Sequence, residues 1–261
     1  MDVKGGVTIV TGSATGVGAA CAELLASKGC NVVINYTRSL DDAKATQAAC
    51  EAAGVETLLV KADVSDDSQC RAMAAATMER WGRIDGLINN AGRTKFANHR
   101  DLDALSAEDF LDIYAVNVVG AYQMARAVAP HMQAAGRGAI VNISSVAGVM
   151  GGGSSIAYAA SKGALNTMTL SLARALGPEI RVNTVCPGFI QGRWLRGGMG
   201  DEAYEAAVQR QATATPLHRA GTPEDMAAAT VWLLEGADHV TGEILMVDAG
   251  SHLGVAPLTA R

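Results

Sequence analysis

The stretch Val7-Thr8-Ile9-Val10-Thr11-Gly12-Ser13-Ala14-Thr15-Gly16-Val17-Gly18 decides how the rest of this chain is read. Val7 to Val10 is an apolar run and reads as a short buried strand. Beyond the glycines, Ala19, Ala20, Leu24 and Leu25 fall on one face of a helix. A strand, a glycine turn and a helix in this order point backbone N–H groups and a helix N-terminus at a phosphate. Gly12 permits the tight turn, Gly16 lets a pyrophosphate approach the backbone, and Gly18 lets the helix pack closely on the strand. Three glycines alone also fit any tight strand–helix turn, and the spacing is not the common G-x-G-x-x-G. The remainder of the chain therefore has to decide.

Working outward, apolar runs and helical stretches alternate without a break. Strands are expected at Asn31 to Tyr36, Thr57 to Lys61, Gly86 to Asn89, Gly138 to Ile143, Arg181 to Val185 and Ile244 to Val247. Between them lie Ala-rich helical stretches: Asp41 to Ala53, Ser68 to Trp81, Ser106 to Met132 and Ala157 to Leu176. Repeated β-α-β units imply an α/β fold, a doubly wound parallel sheet of seven strands with helices on both faces. No linker, repeat or low-complexity segment divides residues 1–261, which read as a single domain. Residues 191–216 fit poorly: they are polar, contain glycine, and form an excursion expected to be a surface loop or a lid. A helix restarts at Thr222-Pro223-Glu224-Asp225, a cap with proline in first position.

Composition narrows the function. Aromatics make up 4% of the 261 residues, which argues against a base-stacking surface, and the formal net charge of -5 argues against nucleic acid as a partner. No apolar stretch reaches the length of a membrane span. Met1 to Gly6 leads directly into the first strand, leaving no room for a signal peptide. Cys21, Cys30, Cys50, Cys70 and Cys186 lie far apart with no metal-ligand spacing, so a reduced, cytoplasmic protein is expected.

A second constellation lies further along. Tyr158 and Lys162 are four residues apart, so a helix places them on one face. Alone, the pair would also suit a solvated helix face. Here, however, Asn142-Ile143-Ser144-Ser145 and Asn89-Asn90-Ala91-Gly92 end two strands on the carboxyl edge, where such sheets bind ligands. Asn117 is a polar residue among Val116, Val118 and Val119, either a satisfied core amide or part of a site.

Together these residues resemble the short-chain dehydrogenase/reductase family over essentially the whole chain, from Val7 to Gly250. The resemblance rests on Thr11-Gly12-x-x-x-Gly16-x-Gly18, Asp63-Val64, Asn89-Asn90-Ala91-Gly92, Asn117, Ser145, Tyr158-x-x-x-Lys162 and Pro187-Gly188. Within the family the chain looks most like the 3-oxoacyl-(acyl carrier protein) reductases. The resemblance implies a Rossmann-type fold and an oxidoreductase moving hydride between NAD(P)(H) and a ketone or secondary alcohol. It implies Tyr158 as acid/base, Ser145 as the group that orients and polarises the carbonyl, and Lys162 as partner of the phenolate and holder of the nicotinamide ribose. Asn117 is implied to anchor a water linking Lys162 to solvent. Ser145 is selected over Ser144 because it stands thirteen residues before the tyrosine, the family's spacing.

The same resemblance assigns cofactor contacts to Gly12, Ser13, Thr15, Gly16, Val17 and Gly18 in the turn. It adds Asp63 and Val64 beside the adenine, Asn90, Ala91 and Gly92 beside the nicotinamide ribose, and Pro187, Gly188 and Ile190 beyond the sixth strand. Asp63 would equally serve as a turn residue before the helix near Ser65. The Lys162 ammonium is expected to lower the Tyr158 pKa by stabilising the phenolate. Two departures from the family pattern stand out. Gly192 occupies a position that is often threonine or serine, and Ala14 and Thr15 stand where NADP-preferring members often carry a basic residue.

The second strand nonetheless ends Val33-Ile34-Asn35-Tyr36-Thr37-Arg38-Ser39, with Tyr36 where an NAD-preferring fold places a carboxylate. Arg38 can pair with a 2′-phosphate, and Thr37 and Ser39 offer hydroxyls, so NADP(H) is favoured and NAD(H) is the alternative. The other function readings are a sugar, polyol or steroid dehydrogenase, and a catalytically idle nucleotide sensor, against which the intact Ser145, Tyr158 and Lys162 set argues.

The histidines at 99, 131, 218, 239 and 252 share no metal or triad spacing, so no metal is expected. Trp194, Leu195 and Met199 would either line a substrate pocket or pack the lid down. Arg93, Lys95 and Arg100 read more simply as a solvated loop than as charge at a pocket mouth. Ala164, Thr167, Met168, Ser171 and Ala175 are small or adaptable enough for helix contact between subunits, and by analogy with the family a homotetramer is expected.

Overall fold

The computed structural model describes residues 2–254. Seven strands form one parallel sheet: β1 (Val7–Val10), β2 (Asn31–Tyr36), β3 (Thr57–Lys61), β4 (Gly86–Asn89), β5 (Gly138–Ile143), β6 (Ile180–Pro187) and β7 (Ile244–Val247). Their order across the sheet is β3-β2-β1-β4-β5-β6-β7, the expected Rossmann arrangement. Only β6 is noticeably longer than the sequence predicts, because its last residues, Cys186 and Pro187, pair with Met246 and Val247 of β7.

The sheet is buried on both faces, and each strand divides its side chains between them at the period of two. Val10, Val32, Ile34, Ile88 and Val141 enter one core cluster, while Ile9, Val33, Leu87 and Ile140 enter the other. The first cluster is covered by α1 (Gly16–Ser27), α2 (Leu40–Ala52) and α10 (Pro223–Glu235). The second is covered by α3 (Asp67–Trp81), α5 (Ala121–Ala134) and part of α7 (Ile156–Leu176). In α1 the fully buried stripe is Gly18, Cys21, Ala22, Leu25 and Ala26. Ala20 and Leu24 only flank it, so the expected face is rotated: a helix wedged between the sheet, α2 and α10 buries more than one side.

Ser106 to Met132, expected as a single helix, divides into α4 (Ala107–Tyr114), a π-helical turn at Ala115–Gly120, and α5. Ser106 begins α4 with a capping box shared with Asp109. At Gly120 a Cβ would lie 2.7 Å from Val64 Cγ2, so the rod passes too close to the loop after β3 for any side chain there. The excursion at 191–216 is helical as well, folding into α8 (Arg193–Met199) and α9 (Asp201–Ala214). Thr222 and Asp225 close the expected capping box of α10 with Pro223 at its start. A short helix, α6 (Ala147–Met150), precedes α7.

The chain runs outward from β1 through β2 to β3, then crosses back to place β4 on the other side of β1. That reversal opens a crevice beyond the carboxyl ends of β1 and β4, where open α/β sheets bind ligands.

Candidate active site

One cavity of about 1130 Å³ fills this crevice and extends from Thr37 and Arg38 to Ser145 and Tyr158. Its wall is the glycine turn. Gly12 (φ +61) and Gly16 (φ +60) adopt a conformation that favours glycine, and a Cβ on Gly12 would meet Ala91 Cα at 3.0 Å. A Cβ on Gly16 would meet nothing, so that face of the turn stands open toward the cavity. Thr15, Gly16 and Val17 at the start of α1 line it, no acidic side chain lies in that first turn, and no side chain caps it. An open helix N-terminus above a glycine cradle suits a pyrophosphate, so the residues present fit a dinucleotide.

Buried and partly buried hydrogen bonds hold the turn. Asn35 Oδ1 accepts from the Gly12 N–H at 3.0 Å while its Nδ2 donates to the Ala62 carbonyl at 2.9 Å, tying the turn to the strand edge. Thr11 Oγ1 accepts from the N–H groups of both Asn90 and Ala91 at 3.0 Å, and Asn90 Nδ2 donates to the Thr11 and Gly12 carbonyls. Asn35 was not anticipated as a site residue; an amide among the valines and isoleucine of a buried strand was the available signal.

The cavity brings together Gly12, Thr15, Gly16, Val17, Thr37, Arg38, Asp63, Val64, Asn90, Ala91, Gly92, Ser145, Tyr158, Lys162, Pro187, Gly188 and Ile190. Four residues from the expected set do not line it. The Ser13 hydroxyl donates to the Val10 carbonyl at 2.7 Å and accepts from Asn35, so it is spent inside the fold. Gly18 packs under the turn, with Asn90 Nδ2 and the Gly12 carbonyl 2.5 Å from its ideal Cβ. Ser39 is exposed at the N-cap position of α2 with no side-chain cap bond, and Asn117 is buried at 1% exposure. Asp63 has both faces of its expected reading: it lines the cavity and its carboxylate accepts from the Ser65 N–H and hydroxyl.

At the other end, Ser155 caps α7 by accepting from the Tyr158 N–H, which starts the helix that carries Tyr158 and Lys162. Ser145 lies near the Tyr158 hydroxyl, and its Oγ accepts from the Ala147 N–H at 3.1 Å. The Ser144 hydroxyl donates to the Lys162 carbonyl at 3.0 Å. Lys162 Nζ lies 5.6 Å from the Tyr158 ring centre and donates to the Ile143 carbonyl at 2.8 Å. Asn117 Nδ2 donates to Ser161 Oγ at 2.9 Å and to the Arg93 carbonyl at 3.0 Å, and its Oδ1 accepts from the Arg93 N–H at 2.7 Å. It thereby pins the loop after β4 to α7. An ideal Cβ on Gly92 would sit 3.6 Å from Asn117 Oδ1 and 3.8 Å from Lys162 Nζ, so the three residues converge.

The electrostatics correct one expectation. Burial pushes the Tyr158 phenol up to about 12, outweighing the lowering influence of the nearby Ser145 hydroxyl, and the lysine does not pull it down. Burial also lowers Lys162, to about 8. The expectation weighed the ammonium and overlooked that both groups are taken from water together.

The polar excursion returns over this end. Trp194, Leu195 and Met199 line the cavity, with the Trp194 ring 5.9 Å from Tyr158 and 6.2 Å from Phe96. Gly192 offers its N–H to the Tyr204 hydroxyl at 3.0 Å, a contact internal to the excursion. The nearby cations are paired: Arg93 with Asp112 at 3.1 Å and Lys95 with Asp109 at 2.6 Å. Phe96 and Ser154 also line this end and carried no motif signal.

A family model described as enoyl-(acyl carrier protein) reductase matches residues 12–252. The chain belongs to the short-chain dehydrogenase/reductase family. It is 41% identical over 247 residues to "Granaticin polyketide synthase putative ketoacyl reductase 2" of Streptomyces violaceoruber, covering 95% of this chain and 96% of that one. It is 34% identical over 256 residues to L-rhamnose 1-dehydrogenase (NAD(P)(+)) of a Sphingomonas species, covering 97% and 98%. The crystal structure of "a putative short-chain dehydrogenase/reductase from Burkholderia xenovorans" superimposes with a TM-score of 0.89 at 40% identity, covering 95% of this chain and 98% of that chain. The chain is thus an oxidoreductase of carbonyl or alcohol groups, in a family that uses a nicotinamide cofactor. Among the described residues, no helix is long and apolar enough to cross a membrane, and no cluster of His, Cys, Asp or Glu could hold a metal ion.

Proposed function

We propose that this chain reduces a ketone to a secondary alcohol with NADP(H), using Tyr158 as the acid/base. The observation that carries this reading is that Ser145, Tyr158 and Lys162 line one cavity continuous with the glycine turn and Arg38. When bound, the nicotinamide supplies hydride to the carbonyl carbon. Ser145 holds and polarises the carbonyl oxygen, and Tyr158 delivers the proton to it. Lys162, still mostly protonated at neutral pH, places a cation near the forming phenolate and holds the nicotinamide ribose. Asn117 fixes the relation of α7 to the loop after β4, keeping Lys162 in register.

The ketoacyl reductase relative favours a 3-oxoacyl thioester or another activated ketone as substrate. The L-rhamnose dehydrogenase relative supports a second reading, oxidation of a sugar or polyol. A panel of ketones and alcohols followed by nicotinamide absorbance, with both cofactors, separates the two. Faster ketone reduction than hexose oxidation is expected, and robust glucose oxidation without ketone reduction would overturn the first reading.

In this reading residues 1–261 form one catalytic unit with residues 191–216 as its substrate lid. It works in the cytoplasm, consistent with five unpaired, buried cysteines. Thr167, Ser171 and Ala175 are exposed on α7, which suits pairing of subunits into a homotetramer. A monomer in light scattering at micromolar concentration would refute that assembly.

A further inference from the structure

We infer that the substrate ketone carries a flat aromatic ring, seated against Trp194 and Phe96. The inference rests on the carbonyl-reductase reading above and names the substrate class for that site. The whole chain has three tryptophans and three phenylalanines, yet Phe96, Phe189 and Trp194 all line this one cavity together with Tyr158. They come from separate elements: the loop after β4, the loop after β6, and α8. Such convergence in an aromatic-poor chain is a property of the site.

The two outer rings are held in place without being used up. Trp194 meets Phe96 edge to face at 61° and Tyr158 at 54°, geometries that favour attraction between ring edges and faces. A side chain at Gly198 would run into the Phe96 ring, so α8 is laid directly against it. Even so, Trp194 remains 51% exposed, which leaves a large aromatic surface on the cavity wall. Leu195 and Met199 extend the apolar wall. The Trp194 and Tyr158 rings already touch, so a substrate ring lies alongside them rather than between them, with its ketone oxygen at Ser145 and Tyr158.

Several polar groups at this end are already engaged. The Ser154 hydroxyl is bonded to Thr94 at 2.7 Å, Asn98 Oδ1 accepts from the Arg100 N–H at 3.0 Å, and Arg93 pairs with Asp112. Asp63 is the one carboxylate among the cavity-lining described residues, and it stands on the far side, next to Val64. A polyol requires partners for each hydroxyl it buries, and the wall formed by Phe96, Trp194, Leu195 and Met199 supplies ring faces and apolar side chains instead.

The test compares tetralone, a bicyclic aryl ketone, with butanone and with a hexose, using purified protein and saturating cofactor. Expected is a kcat/KM for tetralone at least about tenfold above that for butanone, with Trp194→Ala shrinking this ratio by about tenfold and Trp194→Phe preserving most of it. Circular dichroism and the cofactor Kd report whether each variant is folded and loaded. A preference for butanone, or a ratio unmoved by Trp194→Ala in a folded variant, would overturn the inference and leave the carbonyl-reductase reading standing. Hexose oxidation with no ketone reduction would overturn both.

Discussion

Lys162 Nζ stands 5.6 Å from the centre of the Tyr158 ring, yet donates its hydrogen bond to the Ile143 carbonyl on the strand behind it. The cation is therefore anchored to β5 and held near the phenol rather than paired with it. Tyr158→Phe keeps the ring and its packing but removes the transferable proton. Turnover should fall by about a hundredfold or more with cofactor affinity nearly intact. Lys162→Met should impair both, because the phenolate's cation and the ribose contact are lost together. Near-normal turnover in Tyr158→Phe would move the acid/base elsewhere.

Burial of Lys162 has a sign that stability measurements can read. Its pKa falls from 10.5 to about 8 in the native protein, so between those values the unfolded chain binds more protons. The Lys162 contribution to native stability should then rise with pH through that window, as the cost of the buried charge is relieved. The buried thiols of Cys21, Cys30, Cys50 and Cys70, raised to about 11 or 12, act oppositely from about pH 9, with or without the lysine. Tyr158, raised to about 12, works in the same direction as the thiols, but only once a free tyrosine begins to ionise. Denaturant melts of the unmodified protein and Lys162→Met should show the former gaining on the latter as pH climbs from about 8. A pH-independent difference would mean that the ammonium is solvated.

Asn117 makes three hydrogen bonds from a side chain at 1% exposure, two to Arg93 backbone groups and one to Ser161. Asn117→Ala leaves the Arg93 N–H and carbonyl without their partner. The expected loss of stability is about 1–3 kcal/mol, accompanied by slower turnover as α7 loosens from the loop after β4. Unchanged melting and unchanged turnover would show that the loop is held by other contacts.

Thr37 and Arg38 line the cavity at the end of β2, and Tyr36 stands where a carboxylate would repel a 2′-phosphate. Arg38→Ala should weaken NADPH by about tenfold to a hundredfold while leaving NADH nearly unchanged. Tyr36→Asp should reverse the preference. Fluorescence titration of both cofactors measures this directly, and tighter NADH binding by the unmodified protein would refute the NADP(H) assignment.

What could be read from the sequence was what short-range rules govern. Strand positions followed from apolar runs, the cap of α10 from Thr222-Pro223, and the placement of Tyr158 and Lys162 on one helix face from the pitch of a helix. The choice of Ser145 over Ser144 rests on spacing within the family; both serines line the cavity, and only the Ser144 hydroxyl is spent on the Lys162 carbonyl. Residues whose roles depend on distant partners were not legible. Ser13 offers a hydroxyl next to the glycine turn, but that hydroxyl is consumed by Val10 and Asn35. The π-helical turn around Asn117 has no signature in a run of valines.

By itself the sequence determined the order of elements, the parallel sheet and the glycine turn, because local propensity, periodicity of two and 3.6, and the conformational freedom of glycine act over a few residues. Only the tertiary structure decided which side of α1 is buried, that the polar excursion is two helices, and that Phe96 and Trp194 meet above Tyr158. It also decided the direction of the Tyr158 and Lys162 pKa shifts. These depend on desolvation and on contacts between segments far apart in the chain, quantities set by how the elements pack rather than by any one of them.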